Sequence, residues 1–71
     1  MSKYEYVIVD DCRCIYARKK SILIEHGGRE IWVGQKHIHD DSECYKLDTS
    51  GTLVVPRWLA EDRELEHRER P

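Results

Sequence analysis

Residues 21–38, SILIEHGGREIWVGQKHI, decide the fold of this chain, because they predict a β-hairpin that leads into a polar turn. Two short apolar runs, 22–24 and 31–33, flank the pair Gly27-Gly28. Glycine adopts positive φ angles without steric cost, and the tight turns whose twist matches paired strands require such angles. The sequence therefore places the hairpin turn at the two glycines.

The position of the turn also predicts which residues face each other across the hairpin. The face that we expect in the core carries two apolar pairs, Ile24 with Ile31 and Ile22 with Val33. The other face carries Leu23 opposite Trp32, followed by the like-charge pair Glu25 and Glu30, which needs contact with water. We expect Leu23 and Trp32 to lie on a half-covered surface, which the C-terminal helix or a partner covers.

Length and composition describe one small domain. With 71 residues and 8.5 kDa, the chain lies near the lower limit at which a single core stabilises a fold. A net charge of −2 gives no general attraction to nucleic acid or to an anionic membrane, so such binding would need a local patch. The first ten residues predict neither a signal peptide nor a membrane span, and three cysteines are unlike a secreted disulfide scaffold. We therefore expect a cytoplasmic location.

The segments before the hairpin favour strands by their content of β-branched and aromatic residues. Residues 4–9 predict a first strand that ends near Asp10-Asp11, and residues 12–17 continue in an extended conformation. The residues that share one face of this second segment by strict alternation are Cys12, Cys14 and Tyr16. The basic run 18–20 then marks the turn into the hairpin.

After the hairpin the sequence predicts turns, one more strand and one helix. The predicted elements are a surface turn over 35–42, at most a short edge strand over 43–47, a turn over 48–51 and a last strand over 52–55. Pro56 suits the first position of a helix that runs to about Leu65. We expect this helix to cover Leu23 and Trp32, which would bring Trp58 close to Trp32.

These elements predict an α+β fold, a small twisted antiparallel β-sheet of four to five strands, partly barrel-like, with one short C-terminal helix. Residues 1–66 form the single domain, with the helix starting at about residue 56. Residues 67–71 form a charged tail that we expect to fray.

One set of residues has the side chains of a zinc site, namely Cys12, Cys14, His37, His39 and Cys44. The spacing is not that of a zinc hairpin, because a Cys-x-Cys pair in a strand is not a recognised ligand motif. We interpret the cysteines as small apolar residues of the core and the histidines as solvated loop residues. A zinc-stabilised domain stays an alternative, and no metal or cofactor is predicted.

No group of residues has the pattern of a catalytic site. Asp40, Asp41 and Glu43 gather carboxylates, but the pattern of an EF-hand loop is absent, so a solvated turn is the better interpretation. The serines lack the context of a nucleophile elbow, and a pairing of Cys44 with His37 has no support beyond coincidence. The sequence therefore predicts a protein that is not an enzyme.

Two features predict binding instead. The run Arg18-Lys19-Lys20, with Arg13 and Lys36, forms a basic cluster beside Tyr16, and small β-barrels bind single strands with such arginine and aromatic faces. Trp32, together with Leu23, is the best candidate anchor for a protein partner if it lies on the half-covered face. Both partner classes stay open on the sequence.

Two segments, ILIEHGGREIWVGQKHIHDDSECY and GTLVVPRWLAEDREL, give the chain a resemblance to a family. It is similar to a group of short hypothetical proteins of bacteriophages and prophages. The match covers roughly Lys20 to Leu65 and depends on Trp32, Ser42-Glu43 and the segment 56–60. Relatives usually have proline and serine where this chain has Gly34 and Lys36-His37, and an apolar residue in place of Cys44.

The resemblance implies a mobile-element context and a compact β-rich fold. We expect a small non-catalytic accessory protein in the cytoplasm of a bacterial host, which acts by binding a host or phage macromolecule. Its expected target is the nucleic-acid or defence machinery of the host, most directly a protein of that machinery. The alternative is a nucleic-acid-binding small β-barrel that uses the local basic patch, and no membrane partner is expected.

Overall fold

The computed structural model describes residues 5–70, which form one antiparallel sheet with a short helix on one face. The strands are β1 (Tyr6–Ala17), β2 (Ser21–His26), β3 (Arg29–Gly34), β4 (Ser50–Pro56) and β5 (Arg68–Glu69). A 3₁₀ turn, η1 (Gln35–His37), follows β3, and the helix α1 (Arg57–Asp62) follows β4. The strand order is β3-β2-β1-β4, with β5 also paired to β1. The α+β fold is confirmed, and the sheet of the described residues is not closed into a barrel.

The hairpin of β2 and β3 has the register that its glycine turn predicts. Gly27 and Gly28 have φ angles of +59° and +79°, as a turn of type I′ requires. The cross-strand pairs are Ile22 with Val33, Leu23 with Trp32, Ile24 with Ile31 and Glu25 with Glu30. The isoleucine and valine side chains are buried, whereas Trp32 keeps 39% of its surface exposed. The division into a core face and an outer face is thus confirmed.

The two predicted strand segments before the hairpin are one continuous strand, β1, with two bulges. The register with β4 shifts between Val9 and Cys12, where Asp11 has a φ of +57°. This bulge puts Cys12 on the buried face that Val9 occupies, although the two residues are three positions apart. The strand therefore does not end at Asp10-Asp11. The predicted position of Tyr4 in this strand lies outside the described residues.

The second bulge of β1 changes the face of the residues that follow it. The register with β2 shifts between Cys14, which pairs with Ile24, and Tyr16, which pairs with Leu23. Strict alternation predicted Tyr16 on the face of the cysteines, and this prediction is wrong because the bulge adds one residue. Tyr16 lies on the outer face beside Leu23, with 51% of its surface exposed.

The segment between η1 and β4 protects the outer edge of β4 without forming a strand. The backbone N–H of His39 donates to the carbonyl of Val54 at 2.9 Å. The buried Ser42 hydroxyl accepts from Val54 N at 2.8 Å and donates to Val54 O at 3.3 Å. The side chain of Ser42 therefore replaces a backbone partner along the edge of β4. This leaves fewer unpaired backbone N–H and C=O groups that could pair with another chain.

The helix α1 is shorter than predicted and ends at Asp62. Glu64 takes a φ of +55°, Leu65 N donates to Ala60 O at 2.8 Å, and Glu64 N donates to Glu61 O at 3.1 Å. These two bonds form a Schellman motif, which usually has glycine at the position that Glu64 occupies. The motif turns the chain so that Leu65 is buried.

The helix covers the core face of the sheet. It packs against β1 and β4, and its Leu59 and Ala60, followed by Leu65, belong to the core that also contains Ile22 and Val33. The prediction that this helix covers Leu23 and Trp32 is wrong, since those residues lie on the opposite face. The ring of Trp58 contacts that of His37, and the ring of Trp32 contacts that of Tyr16.

The charged tail is paired rather than frayed over Arg68 and Glu69. These residues form β5, which extends the edge of β1 beyond the end of β2. Ion pairs join Arg68 to Asp10 at 2.8 Å and Glu69 to Arg57, and the hydrogen bond from Arg68 lowers the pKa of Asp10. The expected fraying of these two residues is wrong, because their partners lie on distant segments of the chain.

Alanine at Gly27 and Gly28 should lower the free energy of unfolding by roughly 1–2 kcal/mol per residue, because side chains with Cβ disfavour positive φ. No atom lies within 4 Å of a Cβ built at either position, so the effect comes from the backbone alone. Urea unfolding of each variant measures the change in the free energy of unfolding. Gly34→Ala is the matched control, since Gly34 has a φ of −67°. Equal losses in the control and in the turn variants would contradict the turn assignment.

Deletion of the helix and deletion of the tail should have very different effects. A chain that ends at Val55 loses Leu59 and Leu65 from the core, at about 1.5–3 kcal/mol for each leucine, and should unfold or aggregate. A chain that ends at Leu65 should stay folded with a slightly lower melting temperature. The difference in melting temperature from the full chain should be smaller at high salt, because salt screens the exposed ion pairs that the tail makes in the full chain. A folded monomer ending at Val55 would contradict the core assignment.

Candidate functional site

Three large side chains form a row across the outer face of the sheet. The register places Tyr16 on β1 opposite Leu23 on β2, and Leu23 opposite Trp32 on β3. The rings of Tyr16 and Trp32 meet edge to face, with their centroids 6.0 Å apart. We call Tyr16, Leu23, Trp32 and the adjoining Arg18 the Trp32 face. Two of its members, Tyr16 and Trp32, are large side chains that stay exposed on the face away from the core.

Arg18 joins this row to the basic turn between β1 and β2. Its guanidinium carbon lies 4.9 Å from the centroid of the Trp32 ring, a cation–π contact. The turn is held by hydrogen bonds from Arg18 N to Ser21 O at 2.7 Å and from the Gln35 side chain to Arg18 O at 3.1 Å. The basic run predicted as a turn is therefore a fixed part of the aromatic surface.

A groove of about 500 Å³ continues from the basic turn toward η1. Its lining residues, which we call the lysine groove, are Lys19, Lys20, Gly34, Gln35 and Lys36. The backbone N–H of Gln35 donates to Lys20 O at 2.8 Å, which binds η1 to the turn. The five predicted binding residues thus lie on the Trp32 face, with Leu23, Trp32 and Arg18, and in the adjoining groove, with Lys19 and Lys20. Lys36, predicted as part of the basic cluster, also lines the groove.

The cations of this region differ from the arginines near the C-terminus in their surroundings. Among residues 5–70, neither Arg18 nor the three groove lysines has a carboxylate within ion-pair distance. The arginines near the C-terminus are paired, Arg57 with Glu5 and Glu69, Arg63 with Asp62, Arg68 with Asp10 and Arg70 with Asp41. A chain with a net charge of −2 therefore carries a local positive surface.

Arg13, predicted as a member of the basic cluster, lies outside it. Its register partner on β2 is Glu25, which in turn faces Glu30 on β3. Arg13 therefore moderates the repulsion between two exposed glutamates, one row away from Tyr16 and Trp32. This acidic row is the boundary of the positive surface on that side.

A second aromatic pair borders the lysine groove at η1. The rings of His37 and Trp58 meet edge to face, with their centroids 5.0 Å apart, and Trp58 is 48% exposed. Lys36 also lines a neighbouring groove with Tyr6, His37 and Pro56. Burial, with the charges of Lys36 and Arg63, lowers the pKa of His37, so the ring is neutral at pH 7. This pair could not be predicted from the sequence, because residues 37 and 58 meet only through the fold.

The three cysteines are free thiols buried in the core. Burial raises the pKa of Cys12 to about 12, with further contributions from Cys44 and from the nearby aspartates. Burial also raises the pKa of Cys14, and it raises that of Cys44 to about 11. Thiols with such values are protonated at neutral pH and are weak nucleophiles and ligands. Their interpretation as small core residues agrees with this burial.

The structure does not assemble the zinc ligand set. The ring of His37 packs on Trp58 and that of His39 packs on Tyr6, whereas the cysteines point into the core. Over residues 5–70, no group of three or more His, Cys, Asp or Glu side chains could hold a metal ion. The zinc alternative therefore has no geometric support.

The carboxylates of the loop before β4 have structural partners. Asp41 pairs with Arg70 at 2.6 Å, and its backbone N–H donates to His39 Nδ1 at 3.0 Å. Glu43 Oε1 accepts from the backbone N–H of Thr52 at 3.0 Å. These contacts hold the loop against β4 and agree with the interpretation of a structural turn.

No protein-family model, curated protein or solved structure matches this chain. The function therefore has to be argued from the surface described above. In the part of the chain that the structure describes, no helix has the length and apolar character needed to cross a membrane.

The buried thiols predict a loss of stability at alkaline pH. A group whose pKa is raised by folding stabilises the native state below its unfolded pKa and loses that contribution as the pH rises toward the folded value. For Cys12 and Cys44 this interval runs from 9 to about 11–12. The melting temperature should therefore fall across it, and less so in Cys12→Ala and Cys44→Ala.

Thiol labelling is the second measurement on these cysteines. In the native protein at pH 7.5, a thiol reagent should react slowly with all three thiols, and in denaturant it should react fast. EDTA should leave the melting curve unchanged. Rapid labelling of Cys12 or Cys44 in the folded protein would contradict their assignment to the core.

Proposed function

We propose that this protein is a small non-catalytic binding module of the phage or prophage accessory type, which docks its Trp32 face and the lysine groove on a macromolecule. The observation that carries the proposal is the position of Trp32, which is 39% exposed and contacts both Tyr16 and Arg18. Aromatic residues and arginine are the side chains that dominate binding interfaces.

The side chains gathered on this surface are binding groups. They are aromatic, aliphatic and cationic, and they do not combine a nucleophile with a base. The surface is also rigid, since the strand register fixes Tyr16, Leu23 and Trp32, and hydrogen bonds from Gln35 fix the basic turn. A preorganised surface loses little conformational entropy on binding, which favours affinity.

The charge of the surface defines the chemistry of the partner. Arg18, Lys19, Lys20 and Lys36, which have no carboxylate partners within residues 5–70, favour an anionic macromolecule and speed its association. The resemblance to phage and prophage proteins supports a target in the nucleic-acid or defence machinery of a bacterial host, reached in the cytoplasm. A protein of that machinery and a nucleic acid are both anionic candidates.

A capture experiment with tagged protein in bacterial lysate tests the proposal. Trp32→Ala and the double variant Lys19→Glu/Lys20→Glu should lose the bound macromolecule, because each removes part of the docking surface. The matched controls are Tyr45→Ala and Lys46→Glu, which alter another exposed aromatic residue with its own cation, 5.5 Å from the ring. These controls should bind as the unaltered protein does.

The readout is the set of proteins and nucleic acids retained by each variant, with and without nuclease. Circular dichroism confirms that each variant is folded. Equal capture by Trp32→Ala and by the unaltered protein would refute the docking surface, and so would loss of capture in the two controls.

A further inference from the structure

We propose that the ligand of this surface is single-stranded nucleic acid, with bases stacked on Trp32 and Trp58 and phosphates held by Lys19, Lys20 and Lys36. This inference rests on the docking surface proposed above and names its ligand. It depends on three observations: the order of the aromatic rings, the residues that line the groove, and the lack of carboxylate partners for the groove lysines within residues 5–70.

The two tryptophans are linked by contacts that lead from the outer face around the end of β3 to the helix. Gly34 lies two residues after Trp32 on β3, so both positions face the same side of the strand. A Cβ at Gly34 would lie 3.5 Å from His37 Cδ2, which shows that the imidazole lies over the glycine. His37 in turn contacts Trp58. The path therefore runs from Trp32 over Gly34 and His37 to Trp58.

The lysine groove lies beside this path. Lys36 lines both the groove with Lys19 and Lys20 and the neighbouring groove with His37. Cations thus lie at two points of the path, Arg18 over the ring of Trp32 and Lys36 beside His37. Proteins that bind single strands without strong sequence preference combine these two elements, a cationic groove for the backbone and aromatic side chains on which bases stack.

The groove is suited to a nucleic acid more than to an acidic peptide. Protein partners anchor large side chains in well-packed apolar pockets. The lining of this groove is glycine, glutamine and lysine, without a large apolar side chain. Phosphates need cations and open space, and the groove supplies both. The apolar contacts with the bases are made by the two tryptophans.

The exposed rings favour a single strand over a duplex. Bases of a duplex are stacked on each other and offer no free face to an aromatic side chain, whereas unpaired bases do. Arg18, placed over the Trp32 ring, adds a guanidinium plane that also stacks on bases. The geometry therefore selects unpaired nucleotides as the ligand.

Fluorescence anisotropy with labelled DNA and RNA oligonucleotides of about ten nucleotides tests this inference, a length within the roughly 4–16 nucleotides that comparable single-strand modules contact. The protein contains two tryptophans, and both lie on the path, so quenching of intrinsic fluorescence reports stacking directly. Trp32→Ala and Trp58→Ala should each weaken binding by roughly 5- to 150-fold. Tyr45→Ala should bind as the unaltered protein does.

The salt dependence separates the role of the lysines from that of the rings. Each lysine that contacts a phosphate of a single strand should contribute about 0.7 to the slope of log affinity against log salt concentration. Lys19→Ala, Lys20→Ala and Lys36→Ala should each reduce the slope by that amount. Lys46→Ala, the matched control, should leave it unchanged. A duplex of the same length should bind more weakly.

Several results would overturn the inference: no binding of either oligonucleotide, unchanged affinity in both tryptophan variants, an unchanged slope in the lysine variants, or equal affinity for the duplex. If oligonucleotides do not bind while Trp32-dependent capture from lysate survives nuclease, the docking surface stands and its ligand is a protein. If neither assay depends on Trp32, both proposals fail.

Discussion

The pairing of β1 with strands on both of its edges is the interaction on which the rest of the structure depends. β1 joins β2 and β5 on one edge and β4 on the other, so it connects the hairpin to the segment that carries the helix. A chain of this length has a single core, and most of its members lie on this sheet or on the helix that covers it. The first bulge of β1 lets Val7 and Val9 before it, and Cys12 and Cys14 after it, all point into that core.

The hairpin could be predicted from the sequence because its information is local. Two adjacent glycines fix the turn, and the period of two then assigns every side chain between Ile22 and Val33 to a face. The bulges could not be predicted, since Asp11 adopts a positive φ that only the pairing with β4 imposes. The end of the helix was missed for a similar reason, because Glu64 occupies a position where glycine is the usual signal.

The candidate site also has a part that could be predicted from the sequence and a part that could not. Trp32, Leu23 and the basic run are close in sequence to the predicted turn, so their proximity followed from the register. The position of Tyr16 depends on a bulge, and the contact of His37 with Trp58 joins residues that are distant in the chain. The overall charge was also a poor guide, because the acidic side chains lie away from the groove lysines, which have no carboxylate partners among the described residues. Some of the acidic side chains, such as Asp10, Asp41 and Glu69, pair with the C-terminal arginines instead.

The bulge at the end of β1 has a consequence for how this surface is encoded. Tyr16 faces outward because Ile15 is the extra residue of the bulge, so that Tyr16 follows Cys14 in the pairing with β2. Loss of the single codon for Ile15 would remove the bulge and still leave the tyrosine opposite Leu23, because it would then follow Cys14 directly and point to the other face. A gap at this position in a related chain is therefore compatible with the same aromatic row, and does not by itself mean that the surface is lost.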